Sequence, residues 1–316
     1  MNKYLLVVLA VAIIFGCGKN PLTTTLGGSS GLETADNITV NTTWTAAGGP
    51  YVISKSIVIK QGVTLTIEPG VTIGFNPDCV IYVDGTIIAN GNLSNKIYFK
   101  NESSSLPYLS YDSIVLSAQA TNCSFSYCEV NMNIYNVAKP ATRYFIRGNS
   151  DGAGIVLFDH NKLSYTMLYA ENSSNLNISN CTLSHSSIGN WSYGSPASYV
   201  LTNILLTNGG LSFTGSGVIS ISNSALENSY SCISTSGTAT ISVLNCNIIY
   251  TGIVGSSYAF IASSSNQTAT GNWWGTTNTA TIDSKIFDKN DDGTKGTVNY
   301  SGYLSSAVTG ITGCGW

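Results

Sequence analysis

Charge is the scarcest property of this sequence. Only 9% of its 316 residues are Asp, Glu, Lys or Arg, against roughly 25% in typical soluble domains. The arginines are Arg143 and Arg147 alone, and the net charge is −3. A basic surface for nucleic acid is therefore excluded. Acid–base chemistry has few places to sit. CxxC zinc pairs, glycine-rich phosphate loops and a nucleophile elbow are also absent. Helix formers are scarce, whereas β-branched residues run throughout, which predicts an all-β chain. Disorder does not fit, because 43% hydrophobic content at low charge supports a core.

The apolar run "YLLVVLAVAIIF", Tyr4 to Phe15, follows Lys3. It falls short of the ~20 residues that a membrane span needs and suits the apolar stretch of an export signal. It ends in "IIFGC", with Gly16 before Cys17 and Ile14 three positions before it. This resembles the lipobox of bacterial lipoproteins. The resemblance implies lipidation at Cys17 and a mature protein held at a membrane, in the outer membrane or at the cell surface. Residues 1–16 are then the signal peptide. Residues 17–37, small, polar and aperiodic, form a flexible tether.

Six hexads carry the fold: FSYCEV from Phe125, FDHNKL from Phe158, ISNCTL from Ile178, VLTNIL from Val200, ISNSAL from Ile221 and VLNCNI from Val243. Their starts are separated by 33, 20, 22, 21 and 22 residues, a period that means stacked repeats. Each hexad begins and ends apolar. Position three holds Tyr127, His160, Asn180, Thr202, Asn223 and Asn245; position four holds Cys128, Asn161, Cys181, Asn203, Ser224 and Cys246. Asparagine at position three suits a bend with left-handed backbone angles. Position four then points inward, in one file of similar-sized residues. The cysteines become buried fillers with no disulfide among them. Cys79 and Cys314 are expected near opposite ends of the rod.

These hexads resemble the right-handed parallel β-helix family, the pectin-lyase-like solenoids. "SIVIKQGVTLTIEPGVTIGF" and "IYVDGTIIANG" resemble its opening coils. "GNWWGTTN", Gly271 to Asn278, is similar to a C-terminal segment of its surface members. The resemblance implies a right-handed parallel β-helix over 38–270 with coils of about 20–22 residues, a cap over 271–304 and a tail over 305–316. About ten coils are expected.

Candidate chemistry gathers between residues 139 and 162. "FDHNKL" is similar to an aromatic-Asp-His stretch of pectate lyases, and Arg143, Arg147, Asp151 and Asp159 are the candidates for a base and cation-binding carboxylates. Asp159 has no second carboxylate in its file, and pairing with Arg147 or Lys162 would account for it. "DKNDDG" places Asp288, Asn290 and Asp292 at positions one, three and five of a calcium loop, but Asn299 stands where a bidentate glutamate belongs. No cofactor is expected, with Ca²⁺ the one metal this loop suggests. In "NWSYGSPASY", Trp191 and Tyr193 are candidates for stacking on a sugar. The favoured reading is a lipid-anchored binding, display or adhesion scaffold toward glycans or another cell-surface partner. The alternative is a polysaccharide lyase or glycoside hydrolase. The membrane is the expected partner through Cys17; nucleic acid is not one. The sequence does not fix an oligomeric state.

Overall fold

The computed structural model describes residues 32–33, 37–102, 112–132, 143–149, 156–171, 175–191, 198–228, 231–252 and 258–316. The chain winds as a parallel β-solenoid of about nine turns, with almost no helix. Three strands per turn build three faces. The first two faces share a 19-stranded ladder, and the third is a 10-stranded ladder. Along the first face, Phe125 pairs with Phe158, Phe158 with Ile178, Ile178 with Leu201, Leu201 with Ile221 and Ile221 with Val243. All of these are buried. Most strands have two to five residues, and such short strands suffice because each inward side chain stacks on its equivalent one coil away. At ~25 cal/mol per Å² of apolar surface, each buried Leu or Ile contributes about 1.5–3 kcal/mol. Phe99, Phe125, Phe145 and Phe158 cluster in the interior; Phe125 and Phe158 lie parallel with centroids 5.1 Å apart.

The bend between the first and second faces falls at position three. Tyr127, His160, Asn180, Asn203, Asn223 and Asn245 all have φ between 49° and 55°. Asparagine visits this region readily. Tyr127 and His160 do so at higher cost, and they recover contact by stacking, with centroids 4.8 Å apart and planes at 10°. One hexad is displaced from expectation. Asn203, not Thr202, is the bend residue, so the frame begins at Leu201 and Ile204 takes position four. Val200 faces solvent at 43% exposure.

Position four forms the inner file: Cys128, Asn161, Cys181, Ile204, Ser224 and Cys246, continued by Asn272, each at most 1% exposed. Its polar members accept bonds from the coil before. The Cys128 N–H donates to Asn161 Oδ1 at 2.7 Å, Asn161 N–H to Cys181 Sγ at 3.4 Å, Ile204 N–H to Ser224 Oγ at 3.0 Å and Cys246 N–H to Asn272 Oδ1 at 2.8 Å. A tight bend leaves these backbone donors without ladder partners, and a buried donor must be satisfied. The cysteine in ISNCTL is thus an acceptor as well as a filler. Cys79, Cys123, Cys128, Cys181, Cys232, Cys246 and Cys314 are all buried free thiols. Burial pushes the Cys181, Cys232 and Cys246 thiols up to about 12, so they hold no reactive thiolate at neutral pH.

A second bend, between the second and third faces, uses Tyr165, His185 and Asn208, also left-handed. Tyr165 and His185 stack at 4.8 Å, and Thr166 N–H donates to Ser186 Oγ at 3.1 Å.

The last coil is completed by 271–304. Trp273 bridges to Asn247, Ile286–Phe287 pairs with Phe260–Ile261, and Val298–Asn299 with Gln267–Thr268. Residues 308–316 then run back along the second face. This corrects the placement of Cys314 at the far end: its N–H donates to Thr182 Oγ1 at 3.1 Å, in the Cys181 coil.

Candidate ligand-binding groove

The third face carries an open trough of about 420 Å³. Its walls follow from register. Tyr144 pairs with Met167, and Met167 with Ser187; Tyr169 pairs with Gly189, Gly189 with Ser212 and Ser212 with Ser234. These side chains share the outward side. Tyr144 and Tyr169 meet edge to face with centroids 5.2 Å apart. Next to them the file drops to a glycine. A Cβ at Gly189 would sit 2.3 Å from the Ser212 carbonyl oxygen, so close coil packing requires glycine here and its missing side chain opens the trough. At the far wall Gly209 also passes close to the neighbouring coil, where a Cβ would lie 1.7 Å from the Ser186 oxygen. Asn228 closes that wall, donating from Nδ2 to the Ser231 carbonyl at 3.0 Å.

Its described lining is tyrosine, methionine, serine, asparagine, isoleucine, leucine and glycine, and among the described residues no Asp, Glu, Lys, Arg or His belongs to it. Such a surface offers an aromatic floor and neutral hydrogen-bonding groups.

The structure disperses the sequence candidates. Arg147 lies on the third face beside Tyr169 in register. Its Nη1 reaches Asp112 Oδ2 at 3.3 Å, and its Nε is buried with no hydrogen-bond partner among the described residues. Arg143 belongs to the same strand, Arg143–Asn149, but its side chain lies outside the described residues, as does all of Asp151. Asp159 is on the first face, and neither Arg147 nor Lys162 pairs with it. It accepts from Ser179 Oγ at 2.6 Å and Asn180 Nδ2 at 2.8 Å on Oδ1, while Oδ2 meets His160 Nδ1 at 2.7 Å. Burial pushes this carboxyl up, but the bonds from Ser179, Asn180 and His160 outweigh it and hold it below its ordinary value.

Asp288 is buried and turned to the backbone, with Oδ1 accepting from Asn290 N–H at 2.8 Å and Oδ2 from Val298 N–H at 2.9 Å. Asp292 accepts from Thr294 N–H at 2.9 Å. These are turn-closing bonds. Among the described residues no three His, Cys, Asp or Glu side chains are grouped to hold a metal. Trp191 ends the Gly189 strand and pairs with Thr214; its side chain, like the whole of Tyr193 and Cys17, lies outside the described residues. No helix among the described residues is long and apolar enough to cross a membrane.

No family model matches this chain, and no solved structure matches it. It is 36% identical over 94 residues to Protein bark beetle of Drosophila melanogaster, a stretch covering 24% of this chain and 3% of that protein.

Proposed function

We propose that this protein is an exported, lipid-anchored β-solenoid whose third face binds neutral glycans at a cell surface. The observation that carries the reading is the uncharged trough of Tyr144, Tyr169, Ser212, Ser234 and Asn228. A pyranose ring has an apolar C–H face and a rim of hydroxyls. An aromatic floor with a few converging polar groups matches both. The volume falls within the ~300–1,000 Å³ of small-ligand sites. The resemblance to pectin-lyase-like solenoids supports a saccharide ligand, and the lipobox-like Cys17 supports surface display. A lipid on Cys17 is read from the mass of the mature amino-terminal peptide.

The test is the purified chain against a panel of neutral and uronate oligosaccharides, followed by calorimetry and by assay for new reducing ends. Saturable binding of a neutral saccharide is expected, without turnover, and Tyr144→Ala weakens it at least tenfold. Absence of binding across the panel, or binding untouched by Tyr144→Ala, would overturn the reading.

A further inference from the structure

The trough leaves one long surface feature unexplained. Residues 308–316 lie across the coils, between the first bend (Asn203, His160) and the outward position-five file of the second face (Asn247, Thr182). From Val308 to Cys314 the solenoid's side chains bond the backbone of the tail. Asn247 reads Val308 in both directions, its Oδ1 accepting the Val308 N–H at 2.8 Å and its Nδ2 donating to the Val308 oxygen at 3.0 Å. Asn203 Oδ1 accepts the Thr312 N–H at 3.0 Å and the Gly313 N–H at 3.3 Å. Thr182 Oγ1 accepts the Cys314 N–H at 3.1 Å. Trp316 closes the run, donating from Nε1 to the His160 carbonyl at 3.2 Å with Lys96 Nζ 4.4 Å above its ring.

The fit is steric as well as polar. Gly313 has φ +59°, and a Cβ there would meet Thr182 Oγ1 at 2.4 Å and the Leu205 Cβ at 3.0 Å. Only glycine passes this point. The file beneath the tail carries Thr182, Leu205 and Ala225 in register. Between the last coil and Val308, residues Ser305, Ser306 and Ala307 are exposed.

We infer that Asn247, Asn203 and Thr182 form a docking strip for an extended, glycine-containing peptide, and that its partner besides the chain's own tail is the same tail of a second copy. Exchange keeps every contact identical, which is why swapping is a low-cost route to a dimer. The exposed 305–307 link is the hinge. The side chains that read the tail come from the solenoid's outer surface, so leaving the strip empty does not open the core.

The experiment uses two full-length variants under reducing conditions. In Gly313→Val the tail cannot dock while the strip is intact. In Asn203→Gly/Asn247→Ala the strip's amides are removed while the tail is intact, and glycine keeps the left-handed bend at position 203. A fluorescent peptide of residues 305–316 is expected to bind Gly313→Val saturably, and the unmodified chain at least tenfold more weakly because its own tail occupies the strip. Each variant alone sediments as a monomer; mixed, they form a one-to-one heterodimer. Trp316→Ala, which leaves the strip untouched, serves as a second tail-weakened host should Gly313→Val melt below the parent. Failure of the peptide to bind either host removes the docking strip. Equal binding to the unmodified chain removes occupancy by the chain's own tail. Peptide binding without a heterodimer removes the second copy.

Discussion

Asn161 and Asn180 are neighbours across one bend and do opposite work. Asn161 is in the inner file, 1% exposed, with Oδ1 on the Cys128 N–H and Nδ2 on the Phe125 oxygen. Asn180 is in the outer row, at φ 50°, with Nδ2 on Asp159 and Oδ1 accepting from Asn203 Nδ2 at 2.8 Å. The inner asparagine is there for what its amide does to buried backbone. The outer one is there chiefly for the backbone angle it tolerates, and its amide is secondary. One residue type therefore answers two different physical demands one step apart in the hexad.

The comparison breaks most sharply at the inner file. Asn161→Leu keeps the volume but strands a buried N–H and a buried C=O. Each costs about 1–3 kcal/mol, so the variant is expected to lose about 2–6 kcal/mol in urea unfolding of the whole chain. A loss below about 1 kcal/mol would mean that the inner file packs rather than bonds.

In the outer row the expected order is different. Asn223 has φ 49°, is exposed, and does not touch the tail. Asn223→Ala keeps a Cβ in the left-handed region but loses the local amide bonding that offsets it, at a cost of up to about 1–2 kcal/mol, whereas Asn223→Gly restores most of that loss. Should Gly and Ala be equally harmful, the amide ladder to Asn245, not the backbone angle, would be the stabilising element.

How much of this was legible depends on whether the signal was local. The period and the buried position four stand in the hexads, since period-two alternation within a strand and a bend residue between strands are both short-range. The slip at Val200 has a simple cause. Val200 and Leu201 are both apolar, and only their stacking on Asn177 and Ile178 decides which faces inward. The second bend left a signal that was missed: LSYT at Leu163, LSHS at Leu183 and LTNG at Leu206 repeat in the same coils. The trough was not legible, because Gly189 matters only once Tyr169 and Ser212 lie on either side of it. Nor was the tail, whose contacts with Asn247, Asn203 and His160 span 61 to 156 residues of sequence and whose own sequence has no period. Arg143, Arg147, Asp151 and Asp159 clustered along the chain, but the winding places Arg147 and Asp159 on different faces.

The smallest effect is electrostatic and tests whether the outer row bonds at all. Asp159 occupies position two, one residue before the bend, and its carboxylate takes bonds from Ser179, Asn180 and His160. Burial alone would raise its pKa; those bonds win, and the folded value lies below the ordinary one. The unfolded value is about 3.9. A depressed carboxyl therefore contributes stability above pH ~4, and the contribution is lost as pH falls through the folded pKa. The group is partly exposed, so solvent screening limits the contribution to about 1 kcal/mol or less. Asp159→Asn removes the charge at every pH. Urea midpoints of the two proteins should therefore differ most near pH 6 and converge below pH ~3. A gap that stays constant across that range would mean the carboxylate is not held by its neighbours, and the outer row would then owe its order to backbone angle alone.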